Sequence, residues 1–531
     1  MRTHRRLSPD DIGKLIALAA GIFGVWLRLL PATLASFPIN DGGLFYLMVR
    51  AVQEHGLRVP EYVQYNGLSI PFAYPPLAFL LTALIAAATH VPVLDLLRWL
   101  PAIFTALTVP AVFLLARDVL EGDLEAGLAT MFFAFTPRGL TWMLMGGGLT
   151  RSLGELFLVL TVWSVYRLFT RSSRLGIIRS ALLASIVVLA HPEATLHTLL
   201  ACLLLWALYG RDRAGAIQAL SVAATVMLIT APAWMTVLAR YGTAPIFSAA
   251  QTGDQSLIRL FSMSTFSVTE EPFVSTIYVL GLIGLFVELR RRRYFLPAFA
   301  FLPFLLEPRN AANVAIVPIS LLAAIALVRV LAPVLLGREP GTHRPAPNRL
   351  TVGHLAAVFL GFTLLINAGY VSLQVATNHL QDTTLDAFRW VKENTPPESV
   401  FLVMTGELDS FCDPVQEWFP VMTERRSETT PQGREWLLSG GFGQYRKHLI
   451  TLQGCVERDI GCLNESAAQM GLTYDYLYIQ RRSTSKMFCV PRRPAYRGGD
   501  LLLSIVGDGV ADYAVVYETD DVWIIARYGR R

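Results

Sequence analysis

FPINDGGLFYLMVRAVQEHGLRVPEYVQYNGLSIPFAYPPL, residues 37–77, is the longest polar interruption in the first half of a chain otherwise dominated by apolar runs. One carboxylate, Asp41, sits in its glycine-rich turn Asn40-Asp41-Gly42-Gly43. The stretch ends in Tyr74-Pro75-Pro76-Leu77, at the entry to the next apolar segment. Reading it as a loop between membrane spans, and not as a span, sets the register of everything that follows.

The composition decides the class. With 53% hydrophobic and 16% charged residues and a mean hydropathy of +0.46, the 531-residue chain is too apolar for a soluble protein of its size. A basic N-terminus, Met1 to Asp11, leads into an apolar run with no small-residue cleavage pattern, which reads as an uncleaved first span. Runs long enough to cross a hydrocarbon core predict about eleven spans, near 12–30, 96–116, 124–142, 152–169, 175–190, 194–209, 215–239, 272–289, 294–306, 310–332 and 351–373. The run 75–90 is short and follows two prolines, so it is assigned to the outside, at the interface or dipping into the membrane. The fold class is therefore a multi-pass α-helical membrane protein, with residues 1–373 in the membrane part and residues 31–95 as its first outer loop.

Lysine and arginine near span ends set the orientation. The side holding the N-terminus carries eighteen of them, including the run Arg290 to Arg293, and the longer opposite loops carry nine. The N-terminus is expected in the cytoplasm, and an odd number of spans sends residues 374–531 outside the cell membrane. That tail holds 17 Lys+Arg against 21 Asp+Glu, while the membrane part holds 28 against 19. The net +5 of the whole chain thus reflects inward loops and not nucleic-acid binding. The tail alternates a helix at 382–394 with strands at 399–404, 474–479, 513–517 and 522–527, the pattern of a small extracytoplasmic α/β domain.

Cys202 lies in a span, whereas Cys412, Cys455, Cys462 and Cys489 all fall in the tail, an even set suited to an oxidising compartment. The short CVERDIGC loop favours pairing Cys455 with Cys462, leaving Cys412 with Cys489. Four free buried thiols are the alternative. No Cys/His spacing marks a zinc site.

Charged groups near span ends mark a water-filled recess or the interface, because a charge at the bilayer centre costs about 2.5–3.5 kcal/mol. Here they gather on the outer side: Asp41, Arg98, Arg138, Arg151 with Glu155, His191 with Glu193, and Glu307 with Arg309. The helices flanking His191-Pro192-Glu193 have about sixteen residues each, or roughly 24 Å, which places this turn below the headgroups. His191 and Glu193 then line a polar site as a metal ligand or acceptor contact. The plainer reading makes Pro192 and Glu193 an ordinary helix start. Asp41 is either a base held at the membrane surface or a turn and cap residue for an amphipathic helix at 44–55. Arg151 and Arg309 offer guanidinium forks for a phosphate, unless Glu155 and Glu307 occupy them.

The order of these features resembles the polytopic GT-C glycosyltransferases, in particular the protein O-mannosyltransferase and aminoarabinose-transferase-like group. The carriers are the early Asp41, the YPPL entry from Tyr74 to Leu77, Arg98 with Leu100 and Pro101 opening the next span, the EPRN segment from Glu307 to Asn310, and the outer C-terminal domain. The resemblance implies an inverting transferase that moves a hexosyl or pentosyl group from a polyprenyl-phosphate donor to a glycan or protein hydroxyl, outside the membrane. It maps the catalytic aspartate onto Asp41. In the same frame Arg309, Arg151 and Arg98 contact the donor phosphate, and Tyr74, His191, Glu193 and Glu155 line the pocket. No cofactor is required, and a divalent metal is possible. The chain departs from the pattern in carrying Asp41-Gly42 where many relatives have Asp-Glu, and its second outer loop offers only Glu155 as an acidic partner.

Two rival classes stand beside this one. A transporter or flippase of lipid-linked sugars would show repeated halves and binding groups near the midplane, neither of which is visible. A catalytically silent receptor is the other. Residues 241–271, rich in Ser, Thr and Gly, read as a mobile lid or as an ordinary long loop.

Overall fold

The computed structural model describes residues 8–120, 122–171, 174–250, 268–335, 352–438, 440–481, 500–501, 504–505 and 512–528. The chain opens with α1 (Pro9–Leu34), whose start is a capping box: the Ser8 hydroxyl accepts the Asp11 amide and Asp11 accepts the Ser8 amide. The first outer loop folds as α2 (Gly43–Glu54), a hairpin of β1 (Tyr62–Tyr65) and β2 (Leu68–Pro71), and α3 (Leu77–Thr89). Asn66 and Gly67, both at positive φ, make the two-residue hairpin turn that such a pair favours.

The bundle continues with α4 (Val93–Val119), α5 (Asp123–Ala134), α6 (Gly148–Arg171), α7 (Arg174–Ala190), α8 (Pro192–Tyr209), α9 (Arg213–Tyr241), the short α10 (Ala244–Ala250), α11 (Thr276–Arg290) and α12 (Phe295–Leu306). Next come α13 (Ala311–Ala326), extended through a π turn at Leu327–Leu331 into α14 (Ala332–Leu335), and α15 (Val352–Ala376). Each of the eleven apolar runs contains a helix. Among the described residues, seven helices are long and apolar enough to cross a membrane, namely α1, α4, α6, α8, α9, α13 with its extension, and α15. The other four, α5, α7, α11 and α12, have 12, 17, 15 and 12 residues.

The helix expected over 124–142 stops at Ala134. Pro137 has no amide proton and pushes the preceding Thr136 into extended backbone (φ −74°, ψ 118°), so the helix cannot continue. The freed segment 135–147 crosses the end of the bundle and delivers Gly146-Gly147-Gly148 to the start of α6. At the centre lies α13, with every residue from Asn313 to Ala326 buried against α11, α12 and α5.

The C-terminal sheet domain begins with α16 (Asp382–Asn394), which matches the expected helix and buries Thr384, Ala387, Phe388 and Val391 on one face. It is followed by β3 (Val400–Met404), α17 (Pro414–Thr423), β4 (Arg426–Ser427), α18 (Phe442–Gly454), α19 (Ile460–Gln469), β5 (Tyr476–Gln480), β6 (Tyr513–Glu518) and β7 (Val522–Arg527). The strands form one sheet in the order β4-β3-β5-β7-β6, parallel at β4-β3-β5 and antiparallel beyond. A disulfide joins Cys455 to Cys462, as the spacing suggested. The other expected pair rests on Cys489, which lies outside the described residues.

Candidate active site

Asp41 does not cap α2. Its Oδ1 accepts the amide N–H of Gly147 at 2.9 Å, so the first outer loop and the start of α6 meet at this carboxylate. Close approach is possible only because Gly147 lacks a side chain; a Cβ there would stand 2.4 Å from Asp41 Oδ2. Gly42 supplies the turn at φ +121°. Burial pushes the Asp41 carboxyl above its ordinary range, while Arg151 and the Gly147 amide pull it back.

The cap of α2 comes from the C-terminal domain. Glu417 Oε1, on α17, accepts the Gly42 amide at 3.0 Å and the Leu44 amide at 3.4 Å. Burial, then the neighbouring Asp41 charge, push the Glu417 carboxyl up to about 8. The next residue, Trp418, is fully buried and donates its indole N–H to Asn40 O at 3.0 Å, with its ring edge-on to Phe37 at 4.8 Å. Glu435 also faces this group, and burial raises its carboxyl to about 7.

The other expected site residues fall into two sets. Tyr74, Arg151, His191, Glu193 and Arg309 share one electrostatic neighbourhood: both guanidiniums act on Tyr74 and on His191. Arg309 Nη1 stands 3.7 Å from Glu193 Oε1, and Arg151 Nη1 donates to Trp142 O at 2.7 Å instead of pairing with Glu155. Tyr74 OH lies 3.3 Å from the Thr150 hydroxyl, and its ring faces His191 and Trp436 at centroid distances of 6.3 and 6.1 Å. His191 Nδ1 accepts the Ala194 amide at 3.2 Å as the cap of α8, and burial with both nearby guanidiniums holds its pKa well below the usual value. Glu307 accepts the amides of Arg309 and Asn310, while the Arg309 guanidinium faces Glu193.

Arg98 and Glu155 stand apart. Arg98 donates to Ala35 O at 2.7 Å and to Asp95 at 2.8 Å, a bracket between α4 and the end of α1. Glu155 is buried in the bundle, with Arg28 of α1 as its foremost charged neighbour. His197 Nε2 stands 3.5 Å from Glu307 Oε2, a pair and not a metal donor set. Among the described residues no three His, Cys, Asp or Glu side chains converge as a metal would need.

No family model and no characterised protein matches the chain by sequence. Solved structures do match. The archaeal oligosaccharyltransferase AglB from Archaeoglobus fulgidus, in complex with an inhibitory peptide and a dolichol-phosphate, aligns at 14% identity over 88% of this chain and 69% of that one, with a TM-score of 0.57. ArnT from Cupriavidus metallidurans bound to undecaprenyl phosphate aligns at 13% identity over 96% and 97%, with a TM-score of 0.55. The arabinofuranosyltransferase AftD from Mycobacteria aligns at 13% identity over 99% of this chain and 40% of that one, at 0.54. These solved neighbours are GT-C glycosyltransferases, and this chain shares their fold.

Within this shared fold, the residues that the sequence alone did not single out are Gly147, Glu417, Trp418, Glu435 and Trp436. The triple glycine at 146–148 was a local signal, since three glycines before an apolar run mark a close backbone approach. Glu417 and Trp418 gave none, because their partners lie more than 370 residues away in the chain.

Proposed function

We propose that the protein is a membrane glycosyltransferase that moves a sugar from a polyprenyl-phosphate donor to an acceptor hydroxyl, with inversion, and that Asp41 is its general base. The observation that carries this reading is the shared electrostatic neighbourhood of Arg151, Glu193, His191, Arg309 and Tyr74, which Asp41 joins through Arg151. It occurs within a fold whose solved examples hold dolichol-phosphate and undecaprenyl phosphate. In this reading the site opens outside the cell, the N-terminus is cytoplasmic, residues 1–373 form the membrane part and residues 374–531 the outer domain.

The chemistry is a single displacement. The acceptor oxygen attacks the anomeric carbon while its proton passes to Asp41, and the bond to the phosphate breaks with its electron pair left on phosphate oxygen. An aspartate cannot deprotonate an alcohol in the ground state, but it takes the proton as the new bond forms. The raised carboxyl makes Asp41 a stronger base than a solvated aspartate. The leaving phosphate needs charge neutralisation more than protonation, and Arg309 and Arg151 supply it in a recessed, low-dielectric site. Glu193 holds Arg309 in place, and neutral His191 adds no charge of its own.

The test is transfer in vitro from polyprenyl-phosphate sugars, comparing the native chain with Asp41→Ala and Asp41→Asn. Loss of transfer in both is expected, and undiminished transfer by either would remove the base role. Movement of the sugar lipid across liposomes without transfer would instead favour a transporter.

A further inference from the structure

Helix α2 begins without a capping side chain of its own. Its cap position is Gly42, so the amides of Gly42 and Leu44 look outward for an acceptor. Both find Glu417 Oε1, at 3.0 and 3.4 Å. The contact is built in from both sides: a Cβ on Gly43 would stand 2.8 Å from Glu417 O and 3.2 Å from its Cγ. Tyr65, from the hairpin, donates its hydroxyl to Glu417 O at 2.9 Å, which fixes the backbone that presents the carboxyl group.

The neighbouring side chain completes the grip. Asn40 O belongs to the peptide group before Asp41, and Gly42 N belongs to the peptide group after it. Trp418 donates to the first and Glu417 accepts from the second. Two consecutive residues of α17 therefore hold both peptide planes flanking Asp41, which restrains its backbone while its carboxylate accepts the Gly147 amide. Asn66 adds a third tether, exchanging hydrogen bonds of 2.7 Å in each direction with the backbone of Ser427.

We propose that Glu417 is a positioning residue for Asp41, reaching from the C-terminal domain to lock the turn that presents the base, with Trp418 as its second grip. The proposal rests on the reading of Asp41 as the base. The C-terminal domain thus places a carboxyl group beside the Asp41 turn, and its task is to hold the loop, not to touch the substrate. Burial keeps Glu417 protonated near neutrality, so it accepts two amides without placing a second negative charge beside Asp41. Glutamine has the same acceptor and shape.

The test compares full-length Glu417→Ala and Glu417→Gln in a polyprenyl-phosphate sugar assay and by backbone amide exchange without substrate. For Glu417→Ala we expect kcat to fall about 10- to 100-fold, donor KM to stay within about threefold, and exchange across residues 42–46 to accelerate. Glu417→Gln should restore both kcat and protection. Trp418→Phe keeps the ring but removes the indole donor, and should lower kcat about 2- to 10-fold, which keeps the idea testable if the alanine variant fails to fold. Native kcat and native exchange in Glu417→Ala would overturn the proposal. So would a glutamine variant as slow as the alanine one with its protection intact, since that would make Glu417 a direct participant. The exchange arm needs no transfer, so full transfer by Asp41→Asn would remove the base reading while leaving the exchange difference in place.

Discussion

The amide of Gly147 donates to Asp41 Oδ1 at 2.9 Å, and a methyl group on Gly147 would stand 2.4 Å from Oδ2 of the same carboxylate. The Gly147→Ala protein must therefore push Asp41 away or tilt the start of α6. A displacement of this order is expected to lower kcat by about 100-fold. Steady-state kinetics beside a thermal melt check it: native kcat would show that the carboxylate is not held where the reaction needs it.

Arg309 faces Glu193 at 3.7 Å while the EPRN turn is closed by Glu307. Removing the guanidinium leaves the turn intact and takes away a charge that would neutralise the leaving phosphate. Arg309→Ala should reduce kcat/KM by about 10²- to 10³-fold, with Arg309→Lys intermediate because it keeps the charge but not the fork. Titration with undecaprenyl phosphate, alongside kinetics, measures the effect, and equal activity of all three proteins would exclude a role for Arg309 at the phosphate.

In its proposed role as base Asp41 must be ionised, and burial raises its pKa while Arg151 lowers it. The acid limb of kcat/KM should accordingly lie above the range of a solvated aspartate, with activity rising as pH increases through it. Arg151→Gln removes the opposing influence and should move that limb to higher pH. A limb that stays put or moves down in the pH profile of Arg151→Gln would contradict the sign.

The Cys455–Cys462 bridge closes a short loop between α18 and α19, in a core that includes Leu452, Leu463 and Leu477. Chain-entropy arguments give a small loop about 2–3 kcal/mol of stabilisation. Cys455→Ser with Cys462→Ser should lower the melting temperature of the C-terminal domain and leave the exchange of residues 42–46 unchanged, since the bridge lies outside the grip on Asp41. An unchanged melt would show that the bridge constrains little.

Much of the fold could be read from local pattern because each element answers to its own neighbours in sequence. Each of the eleven apolar runs contains a helix, and the helix at 382–394 and the strands near 400, 476, 513 and 522 fell within a residue or two of expectation. Where local pattern misled, a local breaker was responsible: Pro137 ended at Ala134 a helix expected to reach 142. The site was legible in part. Asp41, Arg151, His191, Glu193 and Arg309 stood out as polar groups at span ends and Tyr74 as the start of the YPPL entry, and they share one neighbourhood. Arg98 carried the same signature, yet it ties α4 to Ala35 and Asp95, because a span-end arginine serves backbone carbonyls as readily as ligands. Glu417 could not be found this way, as an amphipathic α17 looks the same whether or not one of its carboxyl groups ends on a distant glycine.

The grip of α17 on the Asn40–Leu44 turn also fixes a schedule for biosynthesis. Asp41 leaves the ribosome 376 residues ahead of Glu417 (417 − 41), or on the order of 20–75 s at about 5–20 residues per second. Throughout that interval the newborn helix bundle carries its aspartate on an unclamped turn. On the proposed role of Glu417, a chain that stops before α17 leaves the first outer loop without the two hydrogen-bonding side chains that flank Asp41.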